Sequence, residues 1–276
     1  MILIADSGST KTEWVLANNG NTVISRQKTE GINPFHQSEE EITRILQTLS
    51  VEDARITEIH FYGSGVRPEL CERMQSLLKK RFGVDHVEAV SDLLGAARAL
   101  CGHTEGIACI LGTGANSCLY DGSTIVQNTP ALGYILGDEG SGAVLGRNLL
   151  NAIYKGVLSA EIREHFEHYT NLSMNDVIAR VYRQPMANRW MASLTYFITQ
   201  YKNEYGELSQ LVVNSFRDFL RLNVLPYNRR DLSVSAIGSV AWYFQTELVH
   251  AATIEGLQIG KIEQTPMEGL LRYHFS

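Results

Sequence analysis

The sequence predicts an α/β protein built from two similar domains, each opening on a short β-meander and continuing into alternating strands and helices. Three observations carry this. The order strand, glycine- or threonine-bearing turn, strand, turn, strand occurs twice, starting at Met1 and again at Ile107. Strands alternate with amphipathic helical segments after the first opening and return near the end of the chain. The 276 residues, 44% apolar and 20% charged, run on without a low-complexity or Pro/Gly-rich linker and suffice for one large domain or two ordinary ones.

The first opening reads as strands over 1–5, 12–17 and 22–28. A Ser/Gly/Thr turn joins the first two, and Asn18-Asn19-Gly20-Asn21 joins the next, as consecutive hairpins require. Ser38 and Glu41 have capping-box spacing ahead of the stripe Ile42, Ile45, Leu46, Leu49, so a helix starts near Ser38. A strand over 58–62, a helix over 68–82, a strand over 86–90 and a helix over 92–101 follow. The second opening places strands at 107–111, 117–120 and 124–127. Residues from Glu139 to about Val224 read as helical, with starts at Ser159 and at Ser173 with Asp176. The chain closes with a strand over 233–237, a helix over 241–255, a strand near 258–262 and an amphipathic helix from Pro266. We expect a first domain over 1–106, onto which a terminal helix over 264–276 packs back, and a second over 107–263 with a helical insertion.

The net charge of −6 argues against nonspecific nucleic-acid binding, which depends on Lys and Arg neutralising phosphates. Cys71, Cys101, Cys109 and Cys118 form no CxxC pair and have no His at zinc spacing. No stretch approaches the roughly 20 apolar residues of a membrane span. The first residues lack the charged and apolar regions of a signal peptide. Together these predict a cytoplasmic protein that engages neither membrane nor nucleic acid.

Two turns carry the chemistry. Asp6-Ser7-Gly8-Ser9-Thr10-Lys11-Thr12 is a small-residue hairpin after a strand. Its backbone N–H groups and the hydroxyls of Ser9 and Thr10 can meet a phosphate, Lys11 adds positive charge, and Asp6 can hold Mg²⁺ through water. An ordinary hairpin turn is the alternative. Leu111-Gly112-Thr113-Gly114 repeats the arrangement. If the two turns face one another across a cleft, they grip a triphosphate from both sides. Neither fits GxxxxGK[ST], and neither opens a helix as a dinucleotide-binding GxGxxG does.

Asp92 follows a strand and sits at a helix start, where a carboxylate can orient an attacking hydroxyl in phosphoryl transfer. Ser91 or Asp92 as a plain helix cap is the competing reading. Asp138, in Gly137-Asp138-Glu139-Gly140-Ser141-Gly142, sits among small residues that admit a polar ligand, and an ionised carboxylate accepts from two ligand hydroxyls. Asp138 and Glu139 could instead favour the start of the next helix.

The ordered set DSGSTKTEW, SDLLGAARAL, LGTGANS, LGDEGSGAVLG and AIGSVA resembles the BadF/BadG-type ATPases, and among them the N-acetylglucosamine kinases, over almost the whole chain. The resemblance implies two ribonuclease-H-like (actin-like ATPase) domains, each a mixed sheet with flanking helices, around a central cleft. It implies ATP and Mg²⁺ as cofactors and an amino sugar as substrate, most directly N-acetylglucosamine phosphorylated at the 6-hydroxyl. Gly112, Thr113 and Gly114 then join Ser9, Thr10 and Lys11 as phosphate loops, with Gly238 and Ser239 on the adenosine side. Asp92 is the catalytic carboxylate, and Asn33, Ser64, Gly133 and Asp138 face the sugar. A homodimer is compatible with this. One departure stands out: where the family carries Gly-Trp-Gly before GDEG, this chain has Ala131-Leu132-Gly133. Two other readings stay open, an ATPase that activates a radical dehydratase through a shared iron–sulfur cluster, and a non-catalytic sugar or nucleotide sensor.

Overall fold

The computed structural model describes residues 1–8, 10–18, 20, 22–51 and 55–275. These divide into two compact units. Unit 1 comprises Met1–Glu105, Tyr120–Ile125 and Thr265–Ser276, and unit 2 comprises Gly106–Leu119 and Val126–Gln264.

Unit 1 begins with β1 (Ile2–Ser7), β2 (Lys11–Ala17) and β3 (Val23–Glu30), the predicted meander with antiparallel pairing throughout. Helix α1 (Glu39–Gln47) opens on a complete capping box, in which Ser38 Oγ accepts the Glu41 N–H and the Glu41 carboxylate accepts the Ser38 N–H. Strand β4 (Glu58–Gly63), helix α2 (Cys71–Phe82), strand β5 (His86–Ser91) and helix α3 (Asp92–Cys101) follow. The predicted helix over 68–82 is a 3-10 turn, Pro68–Leu70, running into α2. The sheet order is β3-β2-β1-β4-β5, with β4 parallel to β1 and β5 parallel to β4. Leu3, Trp14, Phe61, Met74 and Leu78 form its core.

The second sheet starts with β6 (Glu105–Leu111), β7 (Ala115–Asp121) and β8 (Ile125–Gln127). A helical run comes next: α4 (Gly133–Leu136), α5 (Gly142–Tyr154), α6 (Ala160–Thr170), α7 (Met174–Arg183), α8 (Ala187–Ser193), α9 (Thr195–Tyr201) and α10 (Gly206–Phe219), the last passing into a π-helical turn over Leu220–Val224. Strand β9 (Val234–Ile237), helices α11 (Ser239–Tyr243) and α12 (Gln245–Ile254), and strand β10 (Ile259–Glu263) complete unit 2. Helix α13 (Met267–Phe275) belongs to unit 1, packed on α3 and β1. Read from one edge, the second sheet runs β8-β7-β6-β9-β10, the order of the first sheet repeated. Leu145, Phe166, Phe197 and Phe216 lie in its core. Among the described residues no helix is long and apolar enough to cross a membrane.

Two expectations are corrected. The helix predicted over 241–255 is two helices, because Phe244 leaves helical geometry (φ −115°, ψ 29°) while its ring is buried in the core. Glu139 does not serve the next helix: α5 is capped by Ser141, and Glu139 accepts a hydrogen bond from Asn223 Nδ2 at 3.0 Å. The start predicted at Ser159 is that of α6, with Ser159 in the N-cap position and its hydroxyl donating to the Glu207 carboxylate at 3.1 Å.

Candidate active site

In unit 1 the parallel strands β1, β4 and β5 end together, with Ser7 opposite Gly63 and Gly63 opposite Ser91. Ligands of open α/β sheets bind at this carboxyl edge, because the chain leaving each strand there is free to vary. Asp6 stands at the end of β1. Burial pushes its carboxyl up to about 7, the negative charges of Asp92 and Glu13 push the same way, and Lys11 partly opposes them. Asp92 stands at the start of α3, where burial raises it to about 6 against the Leu93 N–H that its Oδ1 accepts at 2.9 Å. The capping question is decided by Ser91, whose Oγ accepts the Leu94 N–H, so Asp92 is not needed as the cap.

The hairpin between β1 and β2 closes through the Gly8 N–H on the Lys11 carbonyl (3.0 Å), and the Gly31 N–H reaches the Thr10 carbonyl (3.1 Å). Thr10 and Lys11 are exposed there, and Ser9 lies outside the described residues. Asn33 is held by Gln37, whose Oε1 accepts the Asn33 N–H at 2.7 Å while its Nε2 donates to the Gly31 carbonyl. Asn33 Oδ1 accepts the Phe35 N–H at 3.0 Å, so the carboxamide oxygen is partly engaged and its NH₂ is the readier group for a ligand. Ser64 is anchored by its N–H on the Ser7 carbonyl at 2.8 Å. Gly65 has φ +78°, and a Cβ there would fall 2.1 Å from Asn33 Oδ1, so only glycine leaves the asparagine its place.

In unit 2 the turn after β6 is stitched to the helix that follows the GDEGSG segment. The Gly112 N–H closes on the Gly114 carbonyl (3.0 Å), the Gly142 N–H donates to the Gly112 carbonyl (2.8 Å) and the Ala143 N–H to the Thr113 carbonyl (3.1 Å). Two N–H groups at the start of α5 are therefore spent on the turn itself. Asp138 has φ +56°, unusual for a residue with a side chain, and its Oδ2 lies 3.1 Å from where a Cβ on Gly114 would stand. The Asp138 carboxyl is raised to about 6, chiefly by burial, with the Ala115 N–H opposing and the Glu139 charge adding. Gly238 leaves β9 at φ +124°, and a Cβ there would meet the Leu111 carbonyl oxygen at 2.3 Å. Ser239 opens α11 directly after it. Gly133 begins α4 at φ +75°, beside Leu132, Ile135 and Leu136, all more than 60% exposed.

Unit 1 thus gathers Asp6, Asp92, Asn33, Ser64, Thr10 and Lys11 around one sheet edge. Unit 2 gathers Gly112, Thr113, Gly114, Asp138, Gly238 and Ser239, with Gly133 one short helix away from Asp138. Sequence reasoning missed Ser7, Gln37 and Gly65, which hold or make room for the Asn33 loop and Ser64. Ser7 was within sight in the DSGST string, whereas nothing local marks Gln37. Among the described residues no group of three or more His, Cys, Asp or Glu could hold a metal ion. A hard cation would fit the Asp6 side of this edge, because two desolvated carboxylates near one another gain from one, with a ligand's oxygens completing its shell.

No family model matches the chain, and no curated protein matches it. Solved structures do. The "putative N-acetylglucosamine kinase" of Porphyromonas gingivalis is 45% identical with a TM-score of 0.95, over 100% of this chain and 99% of that one. A Chromobacterium violaceum protein of the same description is 18% identical with a TM-score of 0.75 (99% and 98% covered). A ROK-family glucokinase from Streptomyces griseus, solved with glucose and AMPPNP, is 14% identical with a TM-score of 0.60 (98% and 97%), a likeness of fold alone. With two α/β units of identical strand order and 45% identity along the whole length of the first of these, the chain belongs to the N-acetylglucosamine-kinase-like family of the sugar-kinase and actin-like ATPase superfamily.

Proposed function

We propose that the protein transfers the γ-phosphoryl group of ATP to a hydroxyl of an N-acetylated hexosamine, with the 6-hydroxyl of N-acetylglucosamine as the foremost acceptor. The observation that carries this is the pair of buried carboxyls, Asp6 near the carboxyl end of β1 and Asp92 just past that of β5, the two strands that flank β4 in the parallel part of the sheet, both with raised pKa. Phosphoryl transfer asks a protein mainly to position its reactants and stabilise charge, and it needs few groups beyond such a pair. Family membership supports a sugar kinase, and a nucleotide analogue bound to a protein of this fold supports ATP.

In this reading Asp92 accepts a hydrogen bond from the attacking hydroxyl and takes up its proton; a carboxyl near 6 is mostly ionised at neutral pH and still basic enough to act. Asp6 is the residue that would hold Mg²⁺, which supplies charge neutralisation to the phosphates. Thr10, Lys11 and the Gly112–Gly114 turn hold the phosphates, and Gly238 and Ser239 border the nucleoside. Asp138, Asn33 and Ser64 bind the sugar hydroxyls and the acetamido group.

The test is coupled ADP release with glucose, glucosamine, N-acetylglucosamine, N-acetylmannosamine and N-acetylmuramate, alongside calorimetric sugar binding. Asp92→Asn should lower kcat by at least about a thousandfold and leave sugar binding within about threefold. Undiminished turnover removes Asp92 from the mechanism, and sugar binding without ADP release marks a sensor instead.

A further inference from the structure

We propose that Ser7 is a positioning residue that, through its pairing with Thr12, sets the sugar-binding loop relative to the phosphate hairpin. The inference rests on the kinase reading for its functional half only. Ser7 and Thr12 are the two fully buried polar side chains at this edge, both 0% exposed. Their hydroxyl oxygens lie 2.7 Å apart across the base of the β1–β2 hairpin. Ser7 Oγ also donates to the Ile32 carbonyl and accepts the Ile32 N–H, both at 2.9 Å, clasping the residue before Asn33 from both sides of its backbone. Thr12 Oγ1 also lies 3.1 Å from the Glu30 carbonyl, and because Ser7 gives its one proton to the Ile32 carbonyl, the single Thr12 proton alternates between Ser7 Oγ and the Glu30 carbonyl. The Ser7 carbonyl accepts the Ser64 N–H at 2.8 Å.

One residue therefore joins the phosphate hairpin, the 31–37 loop carrying Asn33, and the β4 exit carrying Ser64. It does so from inside the fold, touching no position where a ligand would lie. The 31–37 loop has its own clasp in Gln37, with Arg73 donating to the Pro34 and Gln37 carbonyls, so the loop is internally braced. A braced loop moves as a body, and the Ser7 contacts decide where that body sits. Removing them leaves the peptide of Ile32 without partners in a buried setting, and the loop shifts to rehydrate it. Sugar affinity then falls while nucleotide contacts, made by the exposed hairpin, persist.

The experiment compares Ser7→Ala, Thr12→Val and Thr12→Ser in the full chain, with two readouts. Hydrogen–deuterium exchange without ligand should speed at Ile32 and Ser64 by about tenfold or more in Ser7→Ala, and at Ile32 in Thr12→Val, while amides of the other unit keep their rates. Steady-state kinetics should show the sugar KM raised about tenfold in Ser7→Ala and Thr12→Val with the ATP KM within about twofold, and Thr12→Ser, which keeps the hydroxyl, restored to within about threefold of the parent. Unchanged exchange at Ile32, equal rises in both KM values, or Thr12→Ser behaving as Thr12→Val would each overturn the proposal. If the unaltered protein phosphorylates no sugar, the kinase reading has failed, and exchange at Ile32 and Ser64 alone decides the role of Ser7.

Discussion

Asp6→Asn should make the protein more stable and inactive, and the gain should depend on pH. Asp6 titrates at 3.8 in an unperturbed chain and is pushed to about 7 in the fold, first by burial and then by the charge of Asp92. The folded state holds this proton more tightly than the unfolded one. Its stabilising effect is therefore complete below about pH 4 and is lost as pH rises through about 7, so the ionised carboxylate is a burden at neutral and alkaline pH. At about 1.4 kcal/mol per pH unit, the gap between 3.8 and about 7 sets a ceiling of about 4 kcal/mol. Asp6 keeps some exposure, and screening lowers the expected gain to about 2 to 4 kcal/mol at pH 8. The linkage relation makes the gain at pH 8 exceed that at pH 5 by about 2 kcal/mol. Urea unfolding at both pH values measures this, with the fully buried Trp14 as a reporter of unit 1 once Trp190 and Trp242 are replaced by Phe. A gain that is the same at both pH values, or an Asn variant less stable at pH 8, would refute the electrostatic argument.

Two other changes separate site from scaffold. Gly238→Ala forces a side chain into φ +124° and against the Leu111 carbonyl, which should cost about 3 kcal/mol or more and weaken nucleotide binding, read by thermal melting and titration with a nucleotide analogue. Ser173→Ala removes a capping-box serine on α7, far along the chain from every candidate site residue. It should cost about 1 kcal/mol in unfolding free energy and leave kcat and both KM values unchanged.

Much of the fold was legible because its signals are local. Ser38 with Glu41 and Ser173 with Asp176 announce helices from four consecutive residues, and both boxes are present as written. The two meanders were legible for the same reason, since short turns force neighbouring strands to pair. The helix over 241–255 was misread because Phe244 breaks it to bury a ring in a core assembled from distant segments. Within α9, Tyr196 is 67% exposed while Phe197 beside it is fully buried, a choice made by which side of α9 meets α5 and α10.

The sequence alone determined most element types, the doubled opening meander and which acids are candidates, since capping, alternation and turn chemistry act over a few residues. Only the tertiary structure decided that Ser91 caps α3 and leaves Asp92 available, that Asp138 lies against Gly114, and that Ser7 ties three loops together. The last two join residues 24 to 57 positions apart, which only the tertiary fold brings together. The raised carboxyl of Asp6 likewise comes from burial and from the charge of Asp92, a residue distant in the chain.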